Sequence, residues 1–331
     1  MEHRNFDRRQ FAATALALGT TAWTFPAVAQ TTFPSRTVRL YVGSSAGGAP
    51  DAAARTMGRL LAESWKQSVV IENKPGTSGL LAAEATVQAA PDGHSFCMLL
   101  DTVLNTVPHL SENIAFDPVK ELKPIGMVGS FPLVLVANAG QPYRNLAQLV
   151  SAAKANPGGI TIGSSGLGSS GHVATETFSR VAGLKLNHIP YKGGLPALND
   201  TAAGHIATMW SSVGAAIPFI NSGKLVPLAI ATGERFSLLP NALTFNEQGF
   251  PGFSAGNWLG LMGPAALPDA IAQKIYADIL ALGANDAYRQ TLLGQGIEFR
   301  NMRGAELAQL IRTESDRNKA LFTSLGLTRS K

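Results

Sequence analysis

The sequence predicts an α/β protein built on a parallel sheet, and three observations support this fold class. Short apolar runs of β-forming residues, such as 38–42 and 96–100, alternate with stretches whose apolar residues recur at helical spacing. This strand–helix alternation is typical of parallel strands joined by right-handed crossovers. The pattern starts again near Ile160, with a second glycine-rich loop. With 331 residues, 45% of them hydrophobic and 15% charged, the chain is long enough for two domains with a sizeable core.

The predicted elements follow in chain order. Strands are predicted at 38–42, 69–71, 96–100 and 133–137, and again at 160–163, 186–189, 206–210 and 227–231. Helices are predicted around 57–65, at 80–89, 146–154 and 173–181, and in a short stretch after the turn at 191–194. The last sixty or so residues are predicted to be mostly helical, at 269–282, 287–293 and 305–325.

The N-terminus has the pattern of an export signal. Arg8 and Arg9 precede an apolar run from 11 to 25, and residues 27–29 supply a small-residue cleavage pattern. The paired arginines resemble a twin-arginine signal, while general secretion stays open. We therefore predict an export signal peptide at 1–29 and a soluble periplasmic product, because no later run reaches about 18 uninterrupted apolar residues.

Composition excludes several function classes. The net charge of +5 is spread along the chain without a long Lys/Arg run, so no nucleic-acid partner is expected. Cys97 is the only cysteine, which excludes an intrachain disulfide and favours a buried structural thiol. No pair of the six histidines has metal-ligand spacing, so neither a metal nor a cofactor is expected.

The first glycine-rich loop, residues 43–50, joins a strand to a helix with small residues only. Such a loop lets backbone approach a ligand, and the free N–H groups of the following helix attract anions. Asp51 at the helix entrance is expected to cap exposed N–H groups. An ordinary capped turn is the alternative. The run GSSAG also matches a nucleophile elbow with Ser45, but no histidine follows His205, which disfavours an exported serine hydrolase.

The second loop, SSGLGSSGH, contains a literal dinucleotide fingerprint at Gly166–Gly171. The next strand lacks the acidic residue that would bind the ribose, so nucleotide binding is disfavoured. The loop still offers serine hydroxyls and a helix N-terminus, which suit a carboxylate. His172 either donates to a ligand or closes the loop through a backbone hydrogen bond. Neither loop contains Lys or Arg.

The ordered set AGGAPD, VIENKPG, AAPDG, SSGLGSSGH, IPYKGG, SGKLVPLAIAT and NWLGLMGPAALP resembles the periplasmic solute receptors of tripartite tricarboxylate transporters, the Bug family. The resemblance covers nearly the whole mature chain. It implies a two-domain periplasmic binding fold of type II, with a ligand cleft between lobes formed by 31–132 plus 255–331 and by 133–254. It also implies a monomeric, non-enzymatic receptor that closes on a small organic carboxylate and presents it to membrane transporter components.

The resemblance, together with the loop chemistry, gives a set of candidate ligand-binding residues and no catalytic residue. Where many relatives have acidic residues near the cleft, this chain has Ala207 and Ser211. The candidates lie in the two loops and at that later position: Ser44, Ser45, Ala46, Gly47, Gly48, Asp51, Ser164, Ser165, Gly168, Ser169, Ser170, His172 and Ser211.

Overall fold

The computed structural model describes residues 33–76, 79–111 and 114–327. The predicted export signal at 1–29 lies outside these ranges. The strands in the described residues are β1 Val38–Val42, β2 Val69–Asn73, β3 Ser95–Leu100, β4 Leu122–Asn138, β5 Thr161–Ser164, β6 Asn187–Pro190, β7 Thr208–Ser212, β8 Leu225–Ile230, β9 Gly256–Pro264 and β10 Glu298–Arg303.

The helices of the same residues alternate with these strands. They are α1 Ala49–Trp65, α2 Leu80–Val87, α3 Thr102–Asn105, α4 Val107–Leu110, α5 Pro118–Glu121, α6 Leu146–Ala155, α7 Ser170–Ala182, α8 Gly194–Ala203, α9 Val213–Asn221, α10 Asp269–Gly283, α11 Asp286–Gly294 and α12 Gly304–Ser324. None of these helices combines the length and the apolar character needed to cross a membrane.

The sheet is mixed, which corrects the expectation of a purely parallel one. Strands β1, β2 and β3 pair in parallel, as do β5, β6 and β7, so both predicted βαβαβ units are present. Strands β4 and β9, however, run antiparallel to their neighbours and join the two units into one curled sheet. The antiparallel strands lie where the chain passes between the units, which local sequence patterns do not reveal.

Strand β4 connects the two halves. Its first part pairs with β9 and β10, whereas the part from Leu133 onward pairs with β7 and β8. The sequence predicts only the second part, because Pro124, Gly126 and Gly129 interrupt the first and two register shifts accompany them. The change of partners between Pro132 and Leu133 coincides with the expected lobe boundary, and the division into two lobes stays a prediction.

The core follows the apolar faces of these elements. In the second half Phe178, Trp210, Phe245 and Phe253 form an aromatic cluster, with stacked Phe245 and Phe253 ring centroids 4.4 Å apart. In the first half Cys97 is fully buried, and burial raises the pKa of its thiol to about 12. The predicted structural thiol is therefore uncharged and unreactive at neutral pH.

Candidate functional site

The topology singles out two places where a ligand can bind. In the order β2-β1-β3 the strand order reverses between β1 and β3, and in β6-β5-β7 it reverses between β5 and β7. Ligands of open α/β sheets bind outside the carboxyl ends of strands at such reversals. The two glycine-rich loops follow β1 and β5. Both predicted loops therefore lie at a switch point.

In the first loop, Asp51 holds the backbone in place. Helix α1 begins at Ala49 with Gly48 as N-cap, so Asp51 is the third helical residue and not the cap itself. Its Oδ2 accepts hydrogen bonds from the Gly47 N–H (2.9 Å) and Arg55 Nε (3.0 Å), and its Oδ1 accepts one from Asn73 Nδ2 (2.9 Å). Although burial alone would raise its pKa, these hydrogen bonds hold the pKa of Asp51 below its ordinary value. The Asp51 carboxylate thus already occupies the N-terminus of α1.

The remaining first-loop candidates differ in exposure. Ser45, Ala46 and Gly47 are exposed, whereas the Ser44 hydroxyl is buried without a hydrogen-bond partner among the described residues. Ser45 makes no hydrogen bond to any histidine in the described chain. The arrangement that a serine hydrolase needs is therefore missing around Ser45 in this structure.

The second loop folds through hydrogen bonds among its own residues. Ser169 is the N-cap of α7, where its Oγ accepts from the His172 N–H and donates to the Gly166 carbonyl (2.8 Å). The Ser164 hydroxyl is fully buried and donates to the same carbonyl (3.1 Å). Ser165 is exposed, and no acidic residue occupies the first turn of α7. The N-terminus of α7 is therefore the more available anion site of the two.

His172 closes the second loop through a backbone hydrogen bond, which is one of the two roles predicted for it. Its Nδ1 accepts a hydrogen bond from the Gly168 N–H (3.1 Å), and its ring stacks on His188 with centroids 4.4 Å apart. The His188 Nε2 lies 2.7 Å from the Ser164 hydroxyl. Burial, together with the neighbouring His188, lowers the pKa of His172 to about 4. The imidazole is neutral at physiological pH, and contact with a ligand stays a prediction.

Gly168 and Ser211 lie behind the loop surface. Gly168 is buried with φ +75°, and a Cβ there would lie 2.7 Å from Leu110 Cδ1, so the second loop packs against α4. The hydroxyl of Ser211, at the end of β7, donates to the Ser212 carbonyl (3.1 Å). Both residues therefore contact neighbouring residues of the protein: Gly168 packs against Leu110, and the Ser211 hydroxyl bonds the Ser212 carbonyl.

A cavity of about 350 Å³ lies beside the second loop. Two helices line it, each with residues that share one helix face. These are residues 170, 173, 174, 177 and 180 of α7 and residues 314, 317, 318 and 321 of α12. Residues 130–132 of β4 and residues 253–258, which lead into β9, form further parts of the wall. Among the candidate ligand-binding residues, Ser170 alone lines this cavity. Its volume is within the range of small-molecule sites.

The cavity wall contains both signs of charge. Arg180, Arg300 and Arg317 contribute side chains from α7, β10 and α12. Arg300 pairs with Glu298 (3.0 Å), whereas Arg180 and Arg317 have no ion-pair partner among the described residues. Two unpaired guanidinium groups on the wall favour an anionic ligand. These arginines place on the cavity wall the fixed positive charge that both glycine-rich loops lack.

The acidic part of the wall is a network around Asn105. Asn105 Nδ2 donates to Glu314 Oε2 (2.7 Å) and lies 3.5 Å from Asp101 Oδ2, while Trp258 Nε1 donates to the same Glu314 oxygen (3.0 Å). Burial, and then the nearby Glu314 charge, raise the pKa of Asp101 to about 8. Asp101 is therefore largely protonated at pH 7. The described residues contain no cluster of three or more potential metal ligands.

Comparison with known proteins identifies the family. The family model described as "Tripartite tricarboxylate transporter family receptor" matches residues 53–327. The chain belongs to this receptor family. The receptor is also 34% identical to Protein BugT of Bordetella pertussis over 238 residues, which cover 72% of this chain and 73% of BugT. The resemblance stated from sequence motifs is confirmed.

Two solved structures show what similar receptors bind. R. palustris Rpa4515 with adipate superposes with a TM-score of 0.81 at 28% identity, covering 89% of this chain and 99% of that one. MatC from Rhodopseudomonas palustris with bound malate gives 0.75 at 28% identity, covering 87% of this chain and 99% of that one. This receptor therefore has the periplasmic binding fold that the sequence predicted, and family members are periplasmic solute-binding proteins.

Sequence reasoning missed most of this receptor's cavity. Asp101 and Asn105 follow β3, the strand next to β1 at the switch point, so topology alone could have pointed to them. The α12 residues gave no such signal, because a polar stripe at i, i+3 and i+4 also describes an ordinary solvated helix face.

Proposed function

We propose that this receptor binds a small organic carboxylate in the cavity between α7 and α12 and presents it to the membrane components of a tripartite transporter. One observation carries the proposal: the N-terminus of α7, free of acidic side chains, borders a cavity whose wall also holds unpaired Arg180 and Arg317. Backbone N–H groups, the Ser170 hydroxyl and guanidinium groups are the donors that carboxylates bind.

The donors on the cavity wall are sufficient for micromolar binding of a carboxylate. Micromolar affinity corresponds to about 8 kcal/mol. A helix N-terminus contributes only about 0.3–1 kcal/mol, or up to about 2 kcal/mol when partly buried. Hydrogen bonds to a charged group contribute about 1.5–3 kcal/mol each, so a few of them must supply most of the affinity. The combination of Ser170 and the two arginines provides enough donors.

Similar receptors support the ligand class. Rpa4515 is solved with adipate and MatC with malate, and both ligands are small carboxylates. We extend this class to the present chain, which then needs no catalytic group and no cofactor. Ligand contacts from the first loop, Ser44–Asp51, and from Ser211 remain part of the proposal.

The cellular setting is proposed on the same basis. An export signal at 1–29, of twin-arginine or general secretory type, would place the receptor in the periplasm as a monomer. Closure of two lobes, 31–132 plus 255–331 against 133–254, would then enclose the solute.

Calorimetry with adipate, malate and the diamide of adipate tests this function. The acids are expected to bind and the diamide to bind far more weakly, because only a carboxylate accepts charge-assisted hydrogen bonds. Arg317→Ala should weaken acid binding, whereas Arg312→Ala, on the same helix but outside the cavity lining, should not. Equal binding of acid and diamide would contradict the carboxylate proposal.

A further inference from the structure

The cavity between α7 and α12 has a buried end and an exposed end. The first turn of α7 meets the last turns of α12, where the ring centroids of His172 and Phe322 lie 6.2 Å apart. Leu321, the cavity residue next to this contact on α12, is buried. Arg180 and Arg317, which lie farther from it along the two helices, are exposed. The two arginines therefore mark the mouth of the cavity.

A single carboxylate cannot bind both the N-terminus of α7 and Arg180. Ser170, in the first turn of α7, and Arg180 are ten residues apart, which is about 15 Å along the helix axis. A helical side chain leans back over the preceding turn, so the Arg180 guanidinium comes about 5 Å closer to Ser170. The remaining separation of about 10 Å is well beyond the roughly 3 Å of one hydrogen bond. Two separate anionic groups are needed to use both sets of donors.

The wall between these donors suits a hydrocarbon chain. On α7, Val173 and Ala174 lie between Ser170 and Arg180 and face the cavity. Phe131 is a further apolar residue of the wall. A chain of methylene groups that contacts such side chains is removed from water, which favours binding.

The charges of the wall favour an anion at the mouth. Asp101 is largely protonated at pH 7, because burial and the Glu314 charge raise its pKa to about 8. Glu298 pairs with Arg300 (3.0 Å), and Glu314 accepts two hydrogen bonds from the wall. The two arginines at the mouth have no ion-pair partner among the described residues, so their charge is available to a solute.

We propose that Arg180 and Arg317 form a second anion subsite, so that the preferred solute is a dicarboxylate long enough to reach from this subsite to Ser170. The inference rests on the proposed function, which puts the first carboxylate at the N-terminus of α7. With each carboxylate about 3 Å from its donors, donors about 10 Å apart leave roughly 4–10 Å between the two carboxylates. An extended chain advances about 1.2 Å per bond, so adipate and suberate span this distance and malonate does not.

Calorimetry with matched diacids and monoacids tests the inference. Adipate is compared with hexanoate, suberate with octanoate and malonate with propionate, so that chain length is equal within each pair. We expect adipate and suberate to bind at least about tenfold more tightly than their monoacids, because the second carboxylate gains charge-assisted hydrogen bonds. Malonate should gain much less over propionate, because its second carboxylate does not reach the mouth.

Four variants locate the effect. Arg180→Gln and Arg317→Gln should each remove most of the adipate preference and leave hexanoate affinity nearly unchanged, because only the diacid has a group at the mouth. Ser170→Ala should weaken both acids by the same factor, since both place a carboxylate there. Arg312→Gln makes the same charge change at an exposed position of α12 outside the cavity lining and should keep the preference. Unfolding curves confirm that each variant is folded.

The outcomes separate this inference from the proposed function. If hexanoate binds as tightly as adipate, the carboxylate receptor stands and the second subsite is refuted. A malonate gain as large as that of adipate refutes the span between the two subsites. Arginine variants that weaken hexanoate as much as adipate also refute the inference, because the arginines then hold the first carboxylate. If none of the acids binds, the proposed function falls and this inference falls with it.

Discussion

His172 makes the stability of the fold depend on pH in a predictable direction. Its buried imidazole accepts the Gly168 N–H and stacks on His188, and both contacts favour the neutral ring. An unfolded histidine titrates near pH 6.5, whereas burial and His188 lower the pKa of His172 to about 4 in the fold. The stabilisation is therefore complete above pH 6.5 and is lost as the pH falls towards 4.

The magnitude follows from linkage. For pKa values of about 6.5 unfolded and about 4 folded, lowering the pH from 7.5 to 5 removes about 2 kcal/mol from the free energy of unfolding. His172→Phe keeps a ring against His188 but does not titrate. It also leaves the Gly168 N–H unpaired, which costs about 1 kcal/mol at any pH.

Urea unfolding followed by tryptophan fluorescence at pH 7.5 and pH 5 measures this effect. His172→Phe should be less stable than the wild type at pH 7.5. Between pH 7.5 and pH 5, however, its free energy of unfolding should fall by about 2 kcal/mol less than that of the wild type. His205→Gln is the matched control, because the His205 side chain is 71% exposed. If His172→Phe and the wild type lose equal stability between the two pH values, the imidazole is not held neutral and the reasoning is refuted.

Three further predictions concern the loops. Asp51→Ala should lower the free energy of unfolding by about 1–3 kcal/mol, because it removes the acceptor that orders the first loop, and an unchanged urea midpoint would contradict this. Ser169→Ala should cost about 0.5–2 kcal/mol as a lost N-cap, measured in the same way, and no loss would show that α7 is capped differently. Gly168→Val should lower the melting temperature and weaken adipate binding, since its Cβ meets Leu110; Leu110→Ala should restore part of both, and independent effects would contradict the proposed packing.

Local sequence patterns were sufficient to predict the helices and strands whose apolar residues recur at a regular spacing. Strands β1, β2 and β3 and helices α6, α7 and α10 lie close to their predicted positions, because each has a regular apolar pattern bounded by turn residues. Strand β10 was missed because its sequence, EFRNMR, is largely charged or polar and lies at the edge of the sheet beside β4. Helix α9 was also missed, since Pro218 lies inside it.

The candidate site was only partly predictable for a different reason. The second loop contains its own hydrogen-bonding partners, so Ser169 and His172 could be interpreted from residues four or fewer positions away. The acidic wall joins Asn105 to Glu314 across 209 positions, and no local pattern contains that contact. The cavity is a product of tertiary structure, because α3, α7 and α12, which are far apart in sequence, all line it.

A crystal structure of the receptor with adipate tests the central claim most directly. The account predicts one carboxylate at the N-terminus of α7, within hydrogen-bond distance of Ser170, inside the cavity between α7 and α12. Adipate bound at the first loop, with the cavity between α7 and α12 left unoccupied, would contradict it.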